Sequence, residues 1–191
     1  MNSDDELFQQ CVTHFTTGHE ALEHVQEGGA IRGSRGTLVE NMIDIICHSL
    51  GIEVRIGTSD LQTITIMHKD REYRCEHQVD RHLYAKGKLI AIVECKAYLD
   101  SCYYVRASSD FKRMKMAHPS VKAFVFALEN SISENALVFT DADFDNSCDG
   151  IFYMCDGKRS SSKPIYKKEF AKPLNRKSFD AFVTTLRTLL C

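Results

Sequence analysis

Two charged residues close an apolar stretch in the middle of the chain, and a third precedes it. Leu89-Ile90-Ala91-Ile92-Val93 runs directly into Glu94-Cys95-Lys96, and Asp80 precedes Glu94 by thirteen intervening residues, within His77-Gln78-Val79-Asp80-Arg81-His82. Side chains two apart on a strand share a face, so Glu94 and Lys96 project together. If the two segments pair as a hairpin, Asp80 lies beside them. Two carboxylates and a lysine that converge form a hard-oxygen site for a divalent cation such as Mg²⁺, next to an ammonium. That combination suits phosphodiester hydrolysis: the cation acidifies a water and offsets phosphate charge, while the lysine positions or activates the attacking water. The plainer alternative is a surface ion pair between Glu94 and Lys96 on an edge strand, which leaves Asp80 without a role.

The elements that must position these residues are legible in outline. Residues 4–26 carry Leu7, Cys11, Phe15, Ala21, Leu22 and Val25 at roughly helical spacing, and Gly28-Gly29 ends that helix. Ser34 is then a candidate N-cap for a second helix, with Leu38, Met42, Ile45, Ile46 and Leu50 as its apolar stripe and Gly51 as its stop. The period changes next. Glu53–Ile56, Leu61–His68, His77–Tyr84 and Leu89–Ala97 read as strands, the last two joined by the turn Ala85-Lys86-Gly87-Lys88. Asp100 can cap a helix reaching about Ala117, which Pro119 ends, and Val121–Leu128 is a buried strand candidate. A short helix near Ser133–Val138, a strand at Gly150–Cys155 and a last helix at Lys177–Leu190 follow. The order predicts an α/β fold: a single domain with a mixed central β-sheet flanked by helices on both faces.

An acid, any residue, then lysine is a weak pattern, and it occurs at Glu94-Cys95-Lys96, Asp110-Phe111-Lys112 and Asp156-Gly157-Lys158. The second falls in a predicted helix, where residues two apart face different ways, and the third reads as a turn. The first alone combines a hairpin, an upstream helix and a following helix. Asp80 with Glu94-Cys95-Lys96 resembles the PD-(D/E)XK nuclease superfamily, and the likeness is to its type II restriction endonucleases. It covers about half the chain, from Gly36 to Leu128, and Val79 stands where that family often has proline. The resemblance implies a restriction-endonuclease-like core over about residues 34–128 within one nuclease domain of residues 1–191. It implies a divalent metal, Mg²⁺ with Mn²⁺ as a substitute, held by Asp80, Glu94 and the backbone carbonyl of Cys95, with Lys96 as the water-activating lysine. Many members add a glutamate from the preceding helix, a place that Arg35-Gly36-Thr37-Leu38-Val39-Glu40 gives to Glu40. The implied activity is Mg²⁺-dependent cutting of double-stranded DNA to leave 5′-phosphates, by a homodimer on a palindromic site or by a cleavage subunit beside a larger recognition subunit. Alternatives on the same scaffold are a repair, recombination or RNA-cutting nuclease, and a DNA-binding module without catalysis.

Charge supports a polyanionic partner only once it is divided. The 191 residues hold 24 Lys plus Arg and 26 Asp plus Glu, a formal −2. From Lys158 to Lys177, however, eight basic residues face one acid, Glu169, a local +7 that leaves the rest at −9. A basic segment on an acidic body creates a local positive field; a solvated lysine-rich loop is the plainer reading. Its Lys163, Lys167, Lys168, Lys172 and Arg176, with Arg32 and Arg35 ahead of Glu40, are candidate DNA contacts. Tyr103, Tyr104, Arg106, Lys112, Arg113 and Lys115 could also contact phosphates or help the site, with Tyr104 better placed for the core. His77 and His82 flank Asp80 as further, weaker candidates. The eight cysteines include no C-x-x-C pair, which favours reduced thiols in a cytoplasmic compartment over a disulfide framework or a zinc site. With no secretory block at its start and no apolar run of about 20 residues, the chain is expected to be cytoplasmic and free of any membrane.

Overall fold

Two helices lead the chain, Asp4–Leu22 (α1) and Gly29–Ser49 (α2). Strands Glu53–Arg55 (β1), Thr63–His68 (β2) and Arg71–Glu76 (β3) precede a hairpin of Arg81–Ala85 (β4) and Lys88–Leu99 (β5). Helix Ser101–Ala117 (α3), strand Lys122–Asn130 (β6), helix Glu134–Asp143 (α4), strand Gly150–Tyr153 (β7) and helix Arg176–Thr188 (α5) complete the order. This computed structural model describes residues 3–22, 29–56, 63–76, 79–160, 162–163 and 168–191, with backbone alone at 22, 29–34, 63, 64, 66, 75, 76 and 168.

Five strands form one mixed sheet in the order β1-β4-β5-β6-β7. β1, β4 and β5 are antiparallel neighbours, whereas β6 and β7 run parallel to β5. The switch follows from connection length. A two-residue turn, Lys86-Gly87 with φ of 52° and 75°, folds β5 back on β4, the left-handed pair that suits strand twist in a tight hairpin. Parallel neighbours instead need a crossover, and α3 and α4 supply them. β2 and β3 pair only with each other, as a separate two-stranded ribbon.

Alternation along β5 divides the core. Ala91, Val93 and Cys95 join Phe124, Phe126 and Leu128 of β6 under α1, α2 and α5. Phe182 of α5 packs there against Phe126 and Phe152, each with ring centroids 4.9 Å away. Ile92, Val125 and Ala127 face the other way, against Tyr104, Phe111 and Met114 of α3. Glu94 and Lys96 continue the Ile92 row, so they emerge on the α3 side where its apolar packing ends. The mixed, two-sided α/β sheet matches the arrangement expected from the sequence.

Several local expectations give way to tertiary packing. Ser34 does not cap α2, which already begins at Gly29. Gly33 and Gly36 weaken a helix without forbidding it, and further along the helix Leu38 packs against α1. Gly18 of α1 is part of that contact, because a Cβ there would lie 2.3 Å from Leu38 Cδ1. Of the strand expected over 77–84, residues 77 and 78 lie outside the described residues, and the described strand is Arg81–Ala85, since Asp80 sits in a bend and turns its carboxylate toward β5. A strand at Arg71–Glu76 was not expected, and the helix begun at Ser133, whose hydroxyl accepts from the Ala136 N–H, runs on to Asp143. No described helix is long and apolar enough to cross a membrane.

Candidate active site

Strand register brings the two carboxylates together. Arg81 pairs with Val93 across β4 and β5, so one step outward sets Asp80 opposite Glu94. Asp80 Oδ2 accepts from the Cys95 backbone N–H at 2.7 Å, which fixes the bend to β5. Lys96 Nζ then donates to Glu94 Oε1 at 2.5 Å, the Cys95 carbonyl at 3.1 Å and Asp80 Oδ2 at 3.2 Å. The three oxygens therefore meet at one cationic atom. Only 9% of the Glu94 side chain and 19% of Lys96 remain exposed. Burial pushes the Glu94 carboxyl above its ordinary value, against the pull of Lys96. Burial alone would lower the Lys96 ammonium, but Glu94 and then Asp80 outweigh it and hold it above the usual lysine value, protonated at neutral pH.

Glu40 reaches the same site by another route. It accepts from Arg81 Nη1 at 3.0 Å, while Arg81 Nε and Nη2 grip Asp44 Oδ1 and Oδ2 at 2.7 and 3.0 Å. Arg81 Nη1 also donates to the Asp80 carbonyl at 2.9 Å. This guanidinium, 4% exposed, links α2 to the bend that carries Asp80. Sequence reasoning did not single out Arg81 or Asp44. The available signals were an arginine at the head of an apolar strand, and Glu40 and Asp44 four apart on one helix face.

Asp80, Glu94, Cys95, Lys96 and Glu40 all line one open cavity of about 380 Å³. Asp100 caps α3 by accepting from Tyr103 N–H at 2.8 Å, so the helix starts immediately beyond β5 and its first turns overlook the site. Tyr103 and Arg106 thereby join the lining, with Tyr98 and the buried Arg35.

The other expected contacts disperse. Lys163 is exposed, with Nζ 5.9 Å from the Phe170 ring centre. Lys172 donates to the Lys158 carbonyl at 2.9 Å and lies 3.8 Å from Glu129. Arg176 is paired with Asp5 at 2.6 Å and Asp180 at 2.7 Å. Lys167 and His77, and the side chains of Arg32 and Lys168, lie outside the described residues. His82 is buried on β4 and its imidazole is held below its ordinary value by that burial; it does not line the cavity. Tyr104 is buried in the α3 packing, as expected, and donates to Asp141.

The donor chemistry suits a small hard cation. Among the described residues no three His, Cys, Asp or Glu side chains gather into a metal cage. Mg²⁺, however, is commonly held by one or two carboxylates and keeps several waters. Two carboxylates and a carbonyl, open to a cavity and already converging on a positive charge, fit that habit. The group implied by the resemblance therefore has a place to bind, provided Lys96 yields the oxygens.

No protein-family model matches the chain. Sequence comparison aligns 127 residues, 59% of the chain, at 25% identity with the Type II restriction enzyme DdeI of Desulfomicrobium norvegicum. The alignment takes in 52% of that protein, so the chain spans about half the length of the curated relative it matches. A chain of the native BbvCI A2B2 tetramer superposes over 97% of this chain and 89% of its own, with a TM-score of 0.42 and 10% identity, too loosely to carry an argument. The resemblance first read from Asp80 and Glu94-Cys95-Lys96 is thus matched by a relative found over a longer stretch of sequence: this chain is similar to a type II restriction endonuclease.

Proposed function

We propose that the chain is a Mg²⁺-dependent endonuclease of the restriction type, cutting double-stranded DNA to leave 5′-phosphates. The observation that carries this reading is the convergence of Asp80 Oδ2, Glu94 Oε1 and the Cys95 carbonyl on one cationic atom inside an open cavity. The restriction-enzyme relative supports the same class of reaction. Asp80, Glu94 and the Cys95 carbonyl would hold the metal, which when bound acidifies water and offsets phosphate charge. The remaining roles belong to the chain. Lys96, kept protonated by its two acids, has three N–H donors to orient the attacking water and to meet charge developing on the phosphate oxygens. Glu40 and Asp44 hold Arg81, and Arg81 holds the Asp80 backbone, so the metal-facing carboxylate is set by a rigid support. Arg35 on the cavity wall and the basic 158–177 segment are proposed to meet the DNA backbone. For Lys172 and Arg176 this requires exchange of their present acidic partners.

One such site cuts one strand. Double-strand cutting then takes a second copy of the chain or a partner subunit with its own site. The test incubates long duplex DNA and Mg²⁺ with wild type, Glu94→Ala and Lys96→Ala. Wild type should release discrete fragments, and each variant should be slower by about 10²- to 10⁴-fold, the usual worth of a positioned acid–base group. Equal cutting by all three removes the proposed site. Degradation from ends in place of discrete fragments would move the reading to a repair-type nuclease.

A further inference from the structure

We infer that Arg106 and Arg159 form a two-arginine clamp that positions the backbone of the nucleic-acid strand at the cavity mouth, an inference that rests on the nuclease reading above. Charges around the cavity are mostly spent within the protein. Lys96 is bound to three oxygens, and Arg81 lies behind it in the grip of Glu40 and Asp44. Arg106 differs: it lines the cavity, is exposed, and has no ionic or hydrogen-bonding partner among the described residues.

Arg159 does not itself line the cavity but touches its wall through Tyr98. Tyr98 and Tyr103, both lining the cavity, stack edge to face with ring centroids 5.6 Å apart. The Arg159 guanidinium lies over the Tyr98 ring, 3.7 Å from its centroid. Its backbone N–H is tied to the Asn130 carbonyl at 2.7 Å, which anchors the start of the basic segment beside the end of β6. Its Nε is buried without a hydrogen-bond partner, and its side chain has no acidic partner among the described residues. Arg106 stands three residues beyond Tyr103, on the same helix face. One guanidinium thus lies on Tyr98, the other follows Tyr103 by one helical turn, and neither has an acidic partner among the described residues. Stacking on a ring fixes the plane of the Arg159 guanidinium, and with Nε buried it is the two Nη groups that are left to donate toward phosphate oxygens.

Each phosphate neutralised contributes about 0.9 to the slope of log affinity against log salt, which amounts to about fivefold in affinity at about 0.15 M salt relative to 1 M. The experiment measures anisotropy of a labelled duplex in chelator, so that nothing is cut, over a series of KCl concentrations. Arg106→Gln and Arg159→Gln should each bind about fivefold more weakly at about 0.15 M and lower the slope by about 0.9. Arg106→Lys and Arg159→Lys should recover most of the slope, which a merely structural role would not do. Lys86→Gln, at the opposite end of the β4–β5 hairpin, should leave both quantities unchanged. Wild-type slopes in both glutamine variants, or an equal loss in Lys86→Gln, overturn the clamp while the nuclease reading stands. A wild type that neither binds nor cuts duplex DNA overturns both.

Discussion

Replacing Arg81 with methionine keeps the volume of the side chain and removes its charge. The guanidinium is 4% exposed, whereas the Glu40 and Asp44 side chains keep 28% and 33% of their surface. Removing one partner of a buried pair usually costs about 3–5 kcal/mol, because the other charge stays buried. Here both acids keep water, so the lower end applies, about 3 kcal/mol, even though four hydrogen bonds are lost. With a urea slope of about 2 kcal/mol/M, that moves the unfolding midpoint down by about 1.5 M; for a chain this long, thermal unfolding falls by about 6–12 °C. Circular dichroism during urea titration reads the first quantity directly. Arg81→Met on an Asp44→Leu background should cost about 2 kcal/mol less than on wild type, since residues in one network do not add. A midpoint shift below about 0.5 M, or strict additivity of the two substitutions, would refute the claim that this fork ties α2 to the Asp80 bend. The single variant should also cut DNA more slowly under conditions where it is fully folded, because a misplacement of about 1 Å in a catalytic group can cost about 10²-fold.

Two further expectations concern parts of the fold away from the site. Asp149 is partly buried, which pushes its carboxyl up, but Lys115 at 2.5 Å, the Ala123 N–H at 2.8 Å and Lys122 at 3.0 Å outweigh this and hold it below the ordinary value. Its contribution is therefore complete above the ordinary aspartate value of about 4 and is lost as pH falls through the lowered one; Asp149→Asn should cost about 1–3 kcal/mol at neutral pH and flatten the acid limb of urea midpoint against pH, and an unchanged limb would refute the pairing. At the β4–β5 turn, Lys86 holds a φ of 52° that asparagine tolerates better, so Lys86→Asn should raise the urea midpoint by a few tenths of a kcal/mol in free energy, and a lower midpoint would count against the turn geometry.

The site was legible where local rules determined it. Alternation put Glu94 and Lys96 on one face, and the Lys-Gly turn set the hairpin whose register carries Asp80 to them. Asp100 announced its helix because an N-cap satisfies backbone donors within the next turn. What failed was decided at a distance. Arg81 finds Asp44 across 37 residues, and nothing local separates that arginine from one destined for solvent. β3 is charged at Arg71, Glu72, Arg74 and Glu76, so no apolar run announces it. The packing of α2 on α1 depends on Gly18 admitting Leu38, a fit visible only once both helices are in place. Lys172 and Arg176 looked like free cations in a basic run, yet Glu129 and Asp5 reach them from elsewhere in the chain, and Arg176 also meets Asp180 one turn on.

Charge at the site explains why one lysine can occupy the centre of it. Glu40, Asp44, Asp80 and Glu94 face only Arg81 and Lys96 in the contacts that bind them together, so the cluster carries a formal −2 when every group is ionised. Lys96 relieves the repulsion where it is worst, between Asp80 and Glu94, and the raised Glu94 carboxyl marks what burial leaves uncompensated. A phosphodiester approaching this cluster meets a field of its own sign. Under the proposed reading, a bound divalent cation offsets that deficit and frees the Lys96 ammonium to face the phosphate, so metal and DNA should each tighten the other by the same factor. Under the same reading the basic segment and the cavity arginines would hold a strand near the site without having to overcome the acids at its centre, and formal near-neutrality of the whole chain is compatible with a polyanionic partner.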